Sequence, residues 1–594
     1  MRKETIAFAL LAVLTACSET QDISETTPQN PTTRFVNGVV MEVANIPFDE
    51  GSSILRSAMS EDASGLTFTW SDGDKTGVYS STDGFALFNL TAGAGTSSAK
   101  FDGGGFTLTD GATYYSFFPY AAAATDKTAV PVDFSGQTLT QDNDMTSPMT
   151  KDYLYASAVA DAGNALFNYS HIGTFVRTKL TMPVSTAVES VDFIPMYSEL
   201  TQTATVDVTA ATNPLTAATT SPKTTLALSG VSVPSSGELT LWGAMAPQDL
   251  SATNEAVAIV VHSGTDIYSA RVAGKNLLAG KAYRWTATPI LPTGYSHGLA
   301  VDVKTAKNYG TGLGQYSAIT WLGDNHYAVI HDKEKGGGIV LFDIDIDATT
   351  GEIGEVTPSV PTGTSSSSIT DMDNEGIAYF NSKLYVSAEA DQSIREYNLT
   401  GVPTGNSFTI PTDMAVGKIT SNAGFEALTY NATTHLFWTT TEAALPKDNY
   451  MARLHRLQSF GEDMKPAKRY LYQMDAPQFS SEGTTQYVHG ISAMTALDDG
   501  RLVVLEREVY VPSANPLLTR GIAKIYVVDP VHDTAGILRK SLLTTIDTNA
   551  SNLANYEGMC LGPTLSDGSR CLVLISDTQA QSLVSEYLQV VTIK

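Results

Sequence analysis

The sequence predicts an all-β chain, with β-sandwich layers in its first half and a β-propeller in its second. Three observations carry this. Charged residues make up only 16% of the chain, while Gly, Ser and Thr abound, a balance that favours strands and an extracellular setting. From residue 35 to residue 289 short alternating strands are separated by Gly-, Asp- and Ser-rich turns, with no amphipathic helix of four turns. From residue 372 to residue 578 a single pattern repeats: an acidic or small residue, a short apolar strand, a turn, a returning strand and an acid. A recurrence at roughly 50–65 residues, built from strands alone, is what propeller blades produce.

Residues 1–17 read as a targeting segment. Arg2 and Lys3 precede an apolar run, and Leu14-Thr15-Ala16-Cys17 resembles the lipobox of bacterial lipoproteins. That resemblance implies cleavage before Cys17, acylation of the cysteine, and an outer membrane lipoprotein that faces the periplasm or the cell exterior. Residues 18–33, polar and with Pro28 and Pro31, read as a tether. No later stretch is long and apolar enough to cross a bilayer as a helix. The net charge of −26 argues against nucleic acid as a partner, because phosphates are repelled.

In the sandwich region the ordered segments are Trp70-Ser71-Asp72-Gly73-Asp74, Tyr114-Tyr115-Ser116-Phe117-Phe118-Pro119-Tyr120, Asp152-Tyr153-Leu154-Tyr155, Phe167 with His171, and Ala279-Gly280-Lys281-Ala282-Tyr283 with Trp285. Together they resemble the fimbrillin-like proteins of Gram-negative lipoprotein pili. The resemblance implies tandem transthyretin-like β-sandwiches at 34–155 and 156–290, and a role in adhesion or pilus assembly with pilus or fimbrillin subunits as partners. It also implies a protease cut after an N-terminal Arg that frees a groove for a donor strand; Arg34 and Arg56 precede the tryptophan motif. The large C-terminal addition makes the sandwiches a stalk or accessory surface more than a shaft subunit. The alternating aromatics of residues 113–120 read as core.

Residues 291–294 form a Pro/Gly hinge, and residues 291–594 the propeller. Dividing about 300 residues by about 45–60 per blade gives six blades, with five to seven allowed. A strand at 299–303 is expected to complete the blade that the last strand, 587–593, begins.

Within each repeat the two arms of a hairpin are nearly equal, so the acids at their ends meet on one edge. Glu375 is paired with Glu389, Glu426 with Glu442 and Glu557 with Asp577. In two units the first acid is replaced by Ser317 or Ser492, and the second is Asp332 or Glu506. Radial closure would bring these carboxylates to one mouth of a central channel. So many like charges require a cation or a strong rise in some pKa values, and a hard divalent ion such as Ca²⁺ satisfies them with oxygen ligands. Acids at strand ends also simply solvate loops, and that reading stands beside this one.

The order DNEGIAY, LYVSAE, IREYNLTG, NAGFEALTY, WTTTEAAL, LVVLERE, IYVVDP and NYEGM…LISD resembles the phytase-like family described by esterase-like activity. The resemblance implies a metal-dependent phosphoester hydrolase with Glu375, Glu426, Glu557 and Arg507 as catalytic candidates. Glu375, Glu389, Glu426, Glu442, Glu506, Glu557 and Asp577 are the metal-ligand candidates. Arg453 and Arg395 could add phosphate contacts, and His331 and His489 lie near the predicted rim. The competing reading is a surface adhesin whose propeller recognises a glycan or a protein. No G-x-S-x-G elbow or H-E-x-x-H helix is present in the propeller half. Two cysteines remain beyond Cys17, on the two arms of the last repeat, and the oxidising compartment predicts a Cys560–Cys571 disulfide, with two small buried hydrophobes as the alternative.

Overall fold

The computed structural model describes residues 39–48, 59–61, 65–80, 84–310, 315–331, 338–358, 373–578 and 585–594. The lipobox, the tether, Arg34, Arg56 and Asp332 lie outside them. The described chain is all-β, interrupted by one four-residue helical turn, Thr146–Met149, and three short 3₁₀ turns.

Seven strands close a barrel in the order Val39–Val43, Ala165–His171, Leu154–Val159, Thr113–Phe118, Lys75–Ser80, Gly84–Ala92 and Ser98–Asp102. The first of these runs parallel to Ala165–His171 and antiparallel to Ser98–Asp102, so it is the strand that joins the two edges. Trp70 explains its motif: it is buried, stands edge-on to Phe101 at 4.9 Å and Phe118 at 5.1 Å, and donates to the Met41 carbonyl at 3.3 Å. Phe117 is buried, as expected of an alternating core strand. His171 is buried between the Asp152 carboxylate at 2.8 Å and the Ala44 carbonyl at 2.9 Å.

The expected boundary at residue 155 falls inside a barrel strand, which pairs with Thr113–Phe118 on one side and Ala165–His171 on the other. The barrel therefore runs to His171. Conversely, Val130–Asp133 and Gln137–Leu139, which precede that point, pair with Leu200–Val206 and Thr224–Ser232 of the next region. The two regions interleave, because hydrogen-bonded neighbours in these sheets are distant in sequence.

In the second region a five-stranded sheet faces a three-stranded one. Val191, Phe193, Leu226 and Ile259 from the first meet Val176, Leu180, Leu241 and Trp285 from the second in one core. The alternating burial of Thr174–Thr181 and Thr224–Ser232 is the period-two pattern that such a sandwich requires.

The remainder forms five antiparallel sheets, four of them built on four consecutive strands and the last on three C-terminal strands joined by Val301–Val303 and Lys307–Asn308. Their innermost strands are Tyr316–Gly323, Asn374–Phe380, Phe425–Asn431, Thr484–Ala496 and Asn555–Thr564, numbered here as units 1 to 5. Each innermost strand packs against the next, and that of unit 5 against that of unit 1. Val301–Val303 pairs with Tyr587–Ile593, so the start of this region completes the sheet that the C-terminus begins. Five sheets, not six, occur among the described residues. Unit 4 has the longest first two strands, of 13 and 11 residues.

The ring and the sandwich share a buried contact. Ile194, Met196, Ala258 and Val260 pack on Leu454, Leu471 and Ile537. Two fully buried guanidiniums cross it. Arg456 is bidentate to Asp448 and donates to the Met196 carbonyl at 2.6 Å, and Arg469 pairs with Asp413 and reaches the same carbonyl at 2.9 Å. The expected hinge is thus bypassed: the Arg271 amide donates to Thr534 O at 3.0 Å and the Ile537 amide to Ser269 Oγ at 3.0 Å, both across the junction.

Cys560 and Cys571 are buried free thiols, which corrects the expected disulfide. Cys560 lies opposite Val573 and Cys571 opposite Thr592 of the next strand. The register places Cys571 two residues from Val573, the partner of Cys560, so the two cysteines are diagonal instead of opposed, in one apolar core with Tyr327 and Ile319.

Candidate acidic site at the inner strand ends

Each innermost strand carries a β-bulge at the residue the repeat begins with. The pairing with the second strand slips at Ser317, Glu375, Glu426, Ser492 and Glu557 in units 1 to 5. A bulge adds an unpaired residue and re-aims its side chain. In units 2, 3 and 5 the bulge residues Glu375, Glu426 and Glu557 all bound one cavity.

The residue at the end of the second strand is set by register. The Glu389 amide bonds to Asp373 O and the Glu442 amide to Gly424 O, both at 2.8 Å, and Asp577 pairs with Asn555. In all three units the partner lies two residues before the bulge. In unit 4 that partner is Gly490, and opposite it stands Arg507, while Glu506 faces Ile491. Glu506 is therefore one residue out of phase, and successive residues of a strand point to opposite faces. It leaves the acidic cluster, accepting from Tyr472 Oη and Lys540 Nζ, both at 2.5 Å. The cause is the turn. The arms are joined through two residues in unit 2 and four in unit 3, but through the five residues 497–501 in unit 4, an odd count that inverts the alternation; in unit 5 a second register shift, between Leu561 and Thr564, offsets the five-residue turn 565–569.

These positions line a cavity of about 280 Å³, bounded by Asp373, Glu375, Glu389, Glu426, Glu442, Glu557 and Asp577 with Arg507, Gln315, Asn422 and Val488. Seven carboxylates thus face one guanidinium among the described residues. Asp373, Glu375 and Glu389 each offer an oxygen within 4.8 Å of the others. Two oxygens bound to one Ca²⁺ at about 2.3–2.6 Å are at most about 5 Å apart, so this spacing fits a single ion. Asp373 was not foreseen from sequence as a ligand; its signal is the hydrogen-bonded pairing with Glu389, which only the register exposes.

Arg507 is buried and pairs with Glu557 through Nη1 and with Glu442 through Nη2, the latter at 2.7 Å; Glu426 Oε1 lies 3.9 Å away. Asn555 Nδ2 donates to Glu557 at 2.8 Å. Burial works against the guanidinium's charge, but Glu557, Glu442 and Glu426 outweigh it and hold its pKa well above the ordinary value. Glu426 is shifted the other way. Burial first, then Glu375 and Glu442, push its carboxyl well above 4.5, and its Oε2 is buried without a hydrogen-bond partner. Gly490 makes the arrangement possible: a Cβ there would stand 2.4 Å from Glu442 Cγ and 2.9 Å from its carbonyl oxygen.

The other sequence candidates fall outside. His489 shares a neighbouring recess with Glu506, Asp475 and Lys524, and burial lowers its pKa. His331 packs edge-on against Tyr316 and does not line the cavity. Arg395 pairs with Asp391, and Arg453 is likewise absent from the lining. Two residues beyond each bulge stand Ile319, Ile377, Leu428, Met494 and Met559, all buried. This apolar layer separates the acidic cavity from a smaller one of about 180 Å³ at the other end of the strands, near Trp321, Tyr379 and Tyr430.

Among solved structures, a candidate cell adhesion protein from Bacteroides ovatus aligns at 18% identity over 43% of this chain and 95% of its own, with a TM-score of 0.30. A fimbrial protein from the same organism aligns at 13% identity over 43% of this chain and 50% of its own, with a TM-score of 0.24. A glutaminyl cyclase from Myxococcus xanthus aligns at 10% identity over 50% and 97%, with a TM-score of 0.26. No curated protein matches the chain. The sequence model of the phytase-like family, described by the esterase-like activity of phytase, matches residues 311–579, and every residue bounding the acidic cavity lies within that stretch.

Proposed function

We propose that the five sheets form a five-bladed propeller whose acidic cavity binds a divalent cation, Ca²⁺ by its all-oxygen donor set, and hydrolyses phosphoesters. The observation that carries this is the carboxylate trio of Asp373, Glu375 and Glu389 beside the unpartnered Oε2 of Glu426 in one cavity. The phytase-like domain supports a hydrolase-like reading. Asp373, Glu375 and Glu389 would hold the ion. A bound divalent cation supplies there charge neutralisation of phosphoryl oxygens and a more acidic water. The chain's own residues do the rest. Glu426 and Glu557 reach the cavity from units 3 and 5, on either side of unit 4, and can hold or move a proton at a substrate oxygen. Arg507 lies among Glu442, Glu557 and Glu426 and sets how much negative charge an anionic substrate meets.

In this reading the protein is an outer membrane lipoprotein, anchored through Cys17, with the fimbrillin-like half as a stalk that offers contacts to pilus subunits. The second reading is a non-catalytic surface adhesin. It is favoured by the engagement of Arg507 with two acids, which leaves little of its donor fork for a phosphate.

The test uses the full chain, because ring and sandwich share a buried junction. A phosphoester panel is assayed with and without Ca²⁺ beside a Glu375→Gln/Glu557→Gln variant. Calcium-dependent turnover that the variant loses supports the hydrolase. No turnover, with Ca²⁺ still raising the melting temperature, moves the assignment to the adhesin.

A further inference from the structure

We infer that Arg507 is an internal counter-cation standing in for a second metal ion, so that the cavity takes up one hard divalent cation, at Asp373, Glu375 and Glu389 of unit 2. This deepens the cation-binding reading above and rests on it.

Register is the first ground. Arg507 occupies in unit 4 the position that Glu389, Glu442 and Asp577 occupy in units 2, 3 and 5. A positive charge replaces a carboxylate at the one equivalent position where Gly490 opens space for Glu442 to approach. Geometry is the second. The guanidinium reaches Glu557, Glu442 and, at 3.9 Å, Glu426, whereas the trio lies together on unit 2 within 4.8 Å.

Glu426 divides the two halves. Its Oε1 is turned to Arg507 and its buried Oε2 has no hydrogen-bond partner. That oxygen is the natural fourth donor for an ion at the trio. A second divalent ion near Glu442 and Glu557 would have to displace a buried guanidinium or sit beside it, and like charges a few ångströms apart in a poorly solvated site repel strongly.

The experiment is calorimetric titration of the calcium-depleted full chain with CaCl₂, on the native protein, Arg507→Met and Glu389→Gln, each checked for folding by circular dichroism. One ion in the native protein, two in Arg507→Met and none in Glu389→Gln is the expected set. Two ions in the native protein, one in a folded Arg507→Met, or one retained by Glu389→Gln overturns the inference while leaving cation binding intact. No calcium heat and no thermal shift in the native protein overturns the cation-binding reading itself, and this inference with it. If Arg507→Met does not fold, the native and Glu389→Gln stoichiometries decide alone.

Discussion

Replacing Asp448 by Asn should destabilise the junction between ring and sandwich by about 3–5 kcal/mol, the range seen when one partner of a buried ion pair is removed. Arg456 and Asp448 have fully buried side chains, paired through Nε at 2.6 Å and Nη2 at 2.8 Å. The remaining Nη1 donates to the Met196 carbonyl at 2.6 Å, so the guanidinium has no route to water. Asn keeps the volume and one acceptor oxygen but removes the charge, leaving a cation whose other partners are carbonyls, one of them, Met196 O, shared with the like-charged guanidinium of Arg469. Arg456→Met with Asp448→Leu removes both charges and should recover much of the loss, because an apolar pair of similar volume is tolerated in the same space. Urea denaturation followed by tryptophan fluorescence and by circular dichroism measures this on the single and double variants. Trp242 reports from the sandwich side and Trp438 from the ring. A loss below about 1 kcal/mol, the value of a solvated surface pair, would refute the claim that this contact excludes water. A double variant no better than Asp448→Asn would refute the charge argument specifically.

Two further outcomes follow from other sites. His171 has an acceptor at each ring nitrogen, so both donate; burial opposes its charge, but the Asp152 carboxylate and the two hydrogen bonds raise its pKa above the ordinary 6.5. Its stabilising contribution should be complete below pH 6.5 and be lost as pH rises through the higher folded pKa; in His171→Gln that decline should disappear from urea midpoints measured between pH 5.5 and 8.5, and an unchanged slope would contradict it. Gly490→Ala should displace Glu442 from Arg507, since the added Cβ meets Glu442 backbone and side chain at under 3 Å; a drop of about 1–3 kcal/mol in stability is expected, and a variant as stable as the parent would show that the strand ends yield freely.

At Glu506 and Arg507 the spacing of acids along the repeat and the register of the strands part company. All five units have the expected residue at the bulge, and units 2, 3 and 5 have the expected second acid in place, because strand alternation and the spacing of acids carry over directly from sequence. Unit 4 looks the same on paper, with Ser492 and Glu506 fourteen positions apart as Glu375 and Glu389 are. Its five-residue turn inverts the phase, and the side chain that enters the cavity is the arginine.

The sequence alone determined the all-β class, the place of the repeats, the closure of the last sheet by residues near 300 and the identity of six of the seven cavity carboxylates. Those properties reside in local periodicity, which a chain displays before it folds. The tertiary structure decided the number of sheets, the loss of Glu506, the gain of Asp373, the free state of Cys560 and Cys571 and the interleaving across residue 155. Each depends on which strand lies beside which and in what register. A shift of one residue there reverses the face a side chain presents, and no pattern along the chain records it.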